Sequence, residues 1–211
     1  MPLKHFTERH LVRLLATETR RTDIRPHDLC RSHVALGRYL AGELVEDLPL
    51  ASCKIQHPQG VRSGWELEGE ASLVLVVFMR AGLYAAEGFR EVLPRAKVVH
   101  VSPRRGVGLS ESDWAELGAV SGQRFILIDS VVNTGASVEP VLEQLRYAGA
   151  AWIAVAALVA PESTAERLAI GHPDAWFYFA RTSTNQYTGK GSTDTGNRLF
   201  GTLPAPQEEG S

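Results

Sequence analysis

From residue 72 onward the chain carries five short apolar runs separated by longer segments, most of them with helical spacing. The runs are SLVLVVF (Ser72–Phe78), KVVHVS (Lys97–Ser102), FILI (Phe125–Ile128), WIAVAALVA (Trp152–Ala160) and AWFYFA (Ala175–Ala180). A continuous β-branched run with no polar alternation suits a strand buried on both faces, and such strands occur in parallel sheets covered by helices. The segments AGLYAAEGFREVLP, VEPVLEQLRYAG and the residues after Pro161 supply those helices. The expected fold is therefore α/β, a parallel sheet flanked by helices on both faces. Ligands of such sheets bind outside the carboxyl ends of the strands, which directs attention to the loops after Phe78, Ser102, Ile128 and Ala180.

The remainder of the chain fits around this unit. Before residue 50 the sequence is charged, with Leu29, His33, Leu36, Leu40 and Leu44 at helical spacing and with Pro26 and Pro49 bracketing one helix. A polar, glycine-bearing stretch follows from Cys53 to Glu70, and a second polar interruption runs from Arg104 to Leu117. One domain is expected over residues 1–202, with the tail 203–211 (LPAPQEEGS) low in order. A net charge of −2 argues against a nucleic-acid partner and for a small substrate. Cys30 and Cys53 are too far apart for a CxxC pair, and the seven histidines show no metal-ligand spacing, so they read as free thiols and as surface or packing residues. The N-terminus has no signal-peptide core and no apolar stretch reaches the length of a membrane span, so a cytoplasmic protein is expected.

The stretch FILIDSVVNTGAS (Phe125–Ser137) combines a buried run, an acid and a turn of small residues before a helix whose apolar face is Val138, Val141, Leu142 and Leu145. Small residues at Asn133–Ser137 let an anion approach main-chain N–H groups at a helix start, and the hydroxyls of Thr134 and Ser137 add donors. The GxxxxGK[ST] and GxGxxG spacings are both missing, which leaves nucleoside triphosphates and dinucleotides without support. Asp129 beside a phosphate turn suits a ligand with both a phosphate and hydroxyls: a sugar phosphate.

The same stretch resembles the 5-phosphoribosyl 1-diphosphate (PRPP) signature of type I phosphoribosyltransferases, and the chain as a whole is similar to uracil phosphoribosyltransferases. RAGL (Arg80–Leu83), Leu93 to His100, LVAPES (Leu158–Ser163), GHPD (Gly171–Asp174) and DTGNRLFGT (Asp194–Thr202) carry the resemblance, in order, from about Leu11 to Thr202. It implies PRPP with Mg2+ and a nucleobase as small-molecule ligands, and a homodimer or higher homo-oligomer. It further implies N-terminal helices and a C-terminal loop that forms a hood over the base. PRPP would be held by Arg80, Ala81, Gly82, one of Arg104 and Arg105, Asp129, Ser130, Asn133, Thr134, Gly135, Ala136 and Ser137. The base would meet Tyr187, Thr188, Gly189, Thr193 and Asp194, with Asp194 also a candidate contact of Mg-PRPP. Arg80, Asp129 and Asp194 are the expected catalytic groups.

Two departures from the family bear on the substrate. Ser130 stands where the family has proline, and the base loop YTGKGSTDTGNR differs from the family's YIVPGFGDAGDR at Thr188, Gly189, Lys190 and Thr193 among other positions. Three readings stay open: transfer to uracil, the same chemistry on a modified base, and a regulator that binds PRPP or a nucleotide without turnover.

Overall fold

A computed structural model describes residues 3–186 and 189–202; the expected tail, Tyr187 and Thr188 lie outside the described residues. The chain starts with β1 (Leu3–His5), then α1 (His10–Arg20) and α2 (Pro26–Val45). Pro26 sits at the start of α2, where its missing N–H and fixed φ are tolerated. Next come β2 (Leu50–His57) and β3 (Gly60–Leu67), an antiparallel hairpin in the stretch read as polar connection. The α/β series follows: β4 (Leu73–Phe78), α3 (Leu83–Val92), β5 (Lys97–Val101), α4 (Glu111–Leu117), β6 (Arg124–Val131), α5 (Val138–Tyr147), β7 (Trp152–Pro161), α6 (Glu162–Gly171), β8 (Trp176–Ser183) and α7 (Thr195–Phe200). Two of these bounds correct the sequence reading. Helix α4 occupies the second polar interruption, capped by Ser110 and Asp113, and β6 continues through Asp129 to Val131 rather than ending at Ile128.

The six strands of the main sheet are parallel in the order β1-β8-β7-β6-β4-β5. Both faces are covered, which is why the central strands read as unbroken apolar runs. Phe125, Leu127, Val155 and Phe177 pack on one face with Val141, Leu142 and Leu145 of α5 and Leu168 of α6. Leu75, Val77, Ile126, Ile128 and Tyr178 pack on the other with Leu36, Leu40 and Leu44 of α2 and Phe89 of α3. Among the described residues no helix is long and apolar enough to cross a membrane.

The strand order also marks where sheets of this kind bind their ligands. From β4 the chain moves outward to β5, then crosses back over β4 to place β6 on its other side. Between β4 and β6 the direction of winding reverses, and loops leaving the two strands diverge to opposite faces. This opens a crevice at their carboxyl ends. Arg80 leaves β4 there, and Asp129 lies in the last turn of the pleat of β6.

Candidate active site

Asp129 is half-buried, and burial pushes its carboxyl up to about 7, against the stabilising N–H groups of Ser130 and Val131. Its Oδ1 accepts from the Ser130 N–H at 2.7 Å. Carrying an acid at such an apolar strand end is costly, and it makes sense where hydroxyl donors of a ligand complete its hydrogen bonding.

Beyond Asp129, the turn 133–137 is shaped so that the carbonyls of residues 133–136 are used by the protein. Asn133 O accepts from Thr164 Oγ1 at 2.7 Å, and Thr134 O from the Arg167 guanidinium at 2.7 Å. Gly135 O takes the N–H groups of Val138 and Glu139, and Ala136 O takes that of Gly106 at 2.8 Å. The opposite, N–H side is left for a ligand: the N–H groups of Gly135 and Ser137 donate no hydrogen bond among the described residues. Gly135 has φ +80, so the turn reverses where a side chain would be strained. Glu139, in the first turn of α5, would repel a phosphate, but Arg167 pairs with it at 2.7 Å and its hydrogen bond holds the Glu139 carboxyl below its ordinary range. The result is a cradle of main-chain dipoles at a helix start.

The second segment is the β4 loop. Gly82 starts α3 against the backbone of β6; a Cβ there would come 2.5 Å from Ile128 O and 2.8 Å from Phe78 O. Ser130, fully buried, spends its hydroxyl on Ala81 O at 2.6 Å, which ties the β4 loop to β6. Arg80 is exposed; its guanidinium donates to Asn197 Oδ1 at 3.2 Å and lies 5.3 Å from the Phe200 ring centroid. Asp194 caps α7, its Oδ1 accepting from the Asn197 N–H at 2.8 Å, and so sets the helix that presents Asn197 and Phe200 to Arg80.

Arg104 and Arg105 stand exposed on a tight loop in which Arg104 and Gly108 exchange main-chain hydrogen bonds. Gln144 of α5 braces that loop through Leu109 N and Val107 O, so the loop borders the phosphate turn. Neither arginine side chain has a hydrogen bond or ion pair among the described residues. In the base loop, Gly189 and Lys190 are exposed, and the Thr193 hydroxyl both accepts from Lys190 N and donates to Lys190 O, closing a short turn. Between that turn, α1, α2 and the ends of β6, β7 and β8 lies a cavity of 520 Å³. Ser130 and Val131 form part of its floor, and Thr193 and Thr195 part of its wall.

Comparison with known proteins shows the family of the chain. A family model described as uracil phosphoribosyltransferase matches residues 6–202. The chain belongs to the uracil phosphoribosyltransferase family. Uracil phosphoribosyltransferases from Exiguobacterium sp. and Streptococcus equi subsp. zooepidemicus are each 32% identical to it, over 77% and 87% of this chain and 81% and 90% of their own. Among solved structures, the AQ2163 protein of Aquifex aeolicus superposes with a TM-score of 0.79 at 21% identity, covering 95% of this chain and 99% of that one. A hypoxanthine phosphoribosyltransferase from Staphylococcus aureus superposes with a TM-score of 0.50 at 9% identity, over 90% and 92%. The fold is thus that of phosphoribosyltransferases, and the chain is a pentosyltransferase enzyme whose substrates are small molecules.

Within this family framework the structure brings Arg80, Ala81, Gly82, Asp129, Ser130 and the 133–137 turn to one crevice, with Asp194 and Thr193 across it. Sequence reasoning assigned no site role to Asn197, Phe200, Arg181, Arg198 and His33, although Asn197, Arg198 and Phe200 stand in the DTGNRLFGT motif. His33 carried a usable signal, since it occupies an apolar-face position of α2.

Proposed function

We propose that the enzyme transfers the 5-phosphoribosyl group of PRPP to a ring nitrogen of a pyrimidine base, uracil or a related heterocycle, giving a nucleoside monophosphate and pyrophosphate. The supporting observation is that the turn 133–137, with the carbonyls of 133–136 consumed, the half-buried acid Asp129 and the Arg80 loop border one crevice at the β4/β6 winding reversal. In this reading the turn binds the 5′-phosphate and Asp129 accepts from the ribose hydroxyls. Arg80, with one of Arg104 and Arg105, faces the diphosphate. The nitrogen–C1 bond forms as the C1–oxygen bond to pyrophosphate breaks; the leaving group takes the electron pair, and the ring nitrogen's proton passes to solvent. Negative charge on the departing diphosphate grows along this path, so a guanidinium beside it acts more strongly in the transition state than in the ground state. Turn and acid contribute by fixing C1 against the base.

No three metal-ligating side chains converge among the described residues. The nearby carboxylates Asp129 and Asp194 act singly, which fits a Mg2+ ion held mainly by diphosphate oxygens, with either acid as an added contact; bound there, it would neutralise leaving-group charge. Residues 1–202 would act as one cytoplasmic domain, assembled as a homodimer or higher homo-oligomer. Pyrophosphate release from Mg-PRPP, measured across a panel of bases, tests the reading; no release with any base, together with no PRPP binding by calorimetry, would refute it.

A further inference from the structure

The 520 Å³ cavity beside the base loop is lined by Arg20, Arg181 and Arg198, and no aspartate or glutamate among the described residues lines it. Arg198 is accounted for: its guanidinium donates to Thr19 O and Arg21 O at the end of α1. Arg181 is not. It stands at the carboxyl end of β8, half-buried, with no hydrogen bond or ion pair to its side chain among the described residues. Burial, and then the like charge of Arg20, lower its pKa, so the protein offers this cation nothing but penalties. A guanidinium removed from water and set against another cation is compensated only by an anion, and its planar fork matches a carboxylate bidentately.

The cavity holds a second oriented group. His33 is 4% exposed, and burial pushes its imidazole down to about 4, so the ring is neutral. Its Nδ1 lies 2.9 Å from Leu29 O, which requires that nitrogen to carry the proton and leaves Nε2 as an acceptor. A cation and an acceptor in one cavity ask for a ligand that presents an acid group and an N–H donor.

Neither phosphate of PRPP answers this demand under the reading above. The 133–137 turn and Arg80 are both absent from the cavity's lining, whereas Ser130, Val131, Thr193 and Thr195 place it next to the position of the base. Resting on that assignment, we infer that Arg181, with Arg20 beside it, forms an anion subsite that selects a heterocyclic base bearing a carboxylate over neutral uracil.

The test uses the full-length enzyme with Mg-PRPP and three bases: uracil, and uracil carrying a carboxylate at carbon 5 or at carbon 6. At least one carboxylated base should show a kcat/KM ten or more times that of uracil. Arg181→Gln should lower the ratio of carboxylated to neutral kcat/KM at least thirtyfold, chiefly through KM, and Arg181→Lys should restore part of it; thermal melting checks that both variants fold. Binding of the carboxylated bases and of PRPP is measured in parallel by calorimetry, which reads the subsite even without turnover. The inference is overturned if uracil is used best, or if neither carboxylated base binds. It is overturned as well if Arg181→Gln weakens PRPP as much as the carboxylated base, which would assign the arginine to a phosphate. Efficient turnover of uracil alone would sink the subsite and leave the phosphoribosyl transfer standing.

Discussion

Replacing Asp129 with asparagine should stabilise the empty enzyme above neutral pH while loosening its hold on PRPP. In the folded chain burial moves this carboxyl from 3.8 to about 7. A raised carboxyl pKa means that the group favours the fold most when protonated; that advantage declines as pH rises from 3.8 and is gone above about 7. Above that point the ionised acid costs the native state about 4 kcal/mol if fully shielded. Asp129 is half-buried, so water screens part of the cost, and about 2 kcal/mol is the working figure. Asparagine keeps an oxygen for the Ser130 N–H and carries no charge. Its melting temperature at pH 8 should therefore exceed that of the parent by roughly 4–8 °C, the gain shrinking toward zero near pH 4. Loss of a charge-assisted acceptor for the ribose hydroxyls should at the same time weaken Mg-PRPP by about tenfold or more. Calorimetric melts from pH 4 to 8 and PRPP titrations read both halves. A variant that is less stable than the parent at pH 8, or one that binds PRPP normally, refutes the reasoning.

Arg80→Ala should lower kcat roughly a hundredfold while changing base KM far less, because the guanidinium acts on charge that grows as the bond breaks; a KM effect with normal kcat would remove it from the leaving group. Gly82→Ala places a methyl 2.5 Å from Ile128 O, so a destabilisation of about 1–3 kcal/mol in urea unfolding is expected, and an unperturbed midpoint would contradict the close approach. The β2–β3 hairpin leaves Trp65 73% exposed on the same face as Val61, with Ile55 on the other, and exposed apolar side chains of this kind are often buried in assemblies. Trp65→Ser should shift sedimentation toward a smaller species, and an unchanged mass would place the subunit contact elsewhere.

How far these residues could be read in advance depended on how local their causes are. Strands β4 to β8 were legible because a strand covered on both faces must be apolar throughout, and every residue of Leu73–Phe78 is indeed buried. The hairpin was not: its faces are largely solvated, and the alternation of Ala51, Cys53 and Ile55 with Ser52, Lys54 and Gln56 carries too few large apolar residues to stand out from a polar stretch. Helix α4 spans seven residues and lies inside a polar stretch, too short for its spacing to register. Asp129, the 133–137 turn and Arg80 were visible because each is defined by neighbours a few residues away. Asn197 and Arg198 were not, since their partners Arg80 and Thr19 lie 117 and 179 positions away in the chain. The charge of Arg181 directly after AWFYFA was the one local hint of the cationic cavity.

The guanidinium of Arg198 joins the final helix to the end of the first, by bonds to Thr19 O at 3.2 Å and Arg21 O at 2.6 Å. During synthesis, β4 to β7 can leave the ribosome with the 133–137 turn already encoded, yet the 520 Å³ cavity still lacks its closing wall. Only when the last dozen or so described residues emerge can they reach back to Thr19 and Arg21, made much earlier. A chain stopped before Ser192 would then have the sheet and the 133–137 turn, but not the wall that Ser192, Thr193, Thr195 and Arg198 give this cavity.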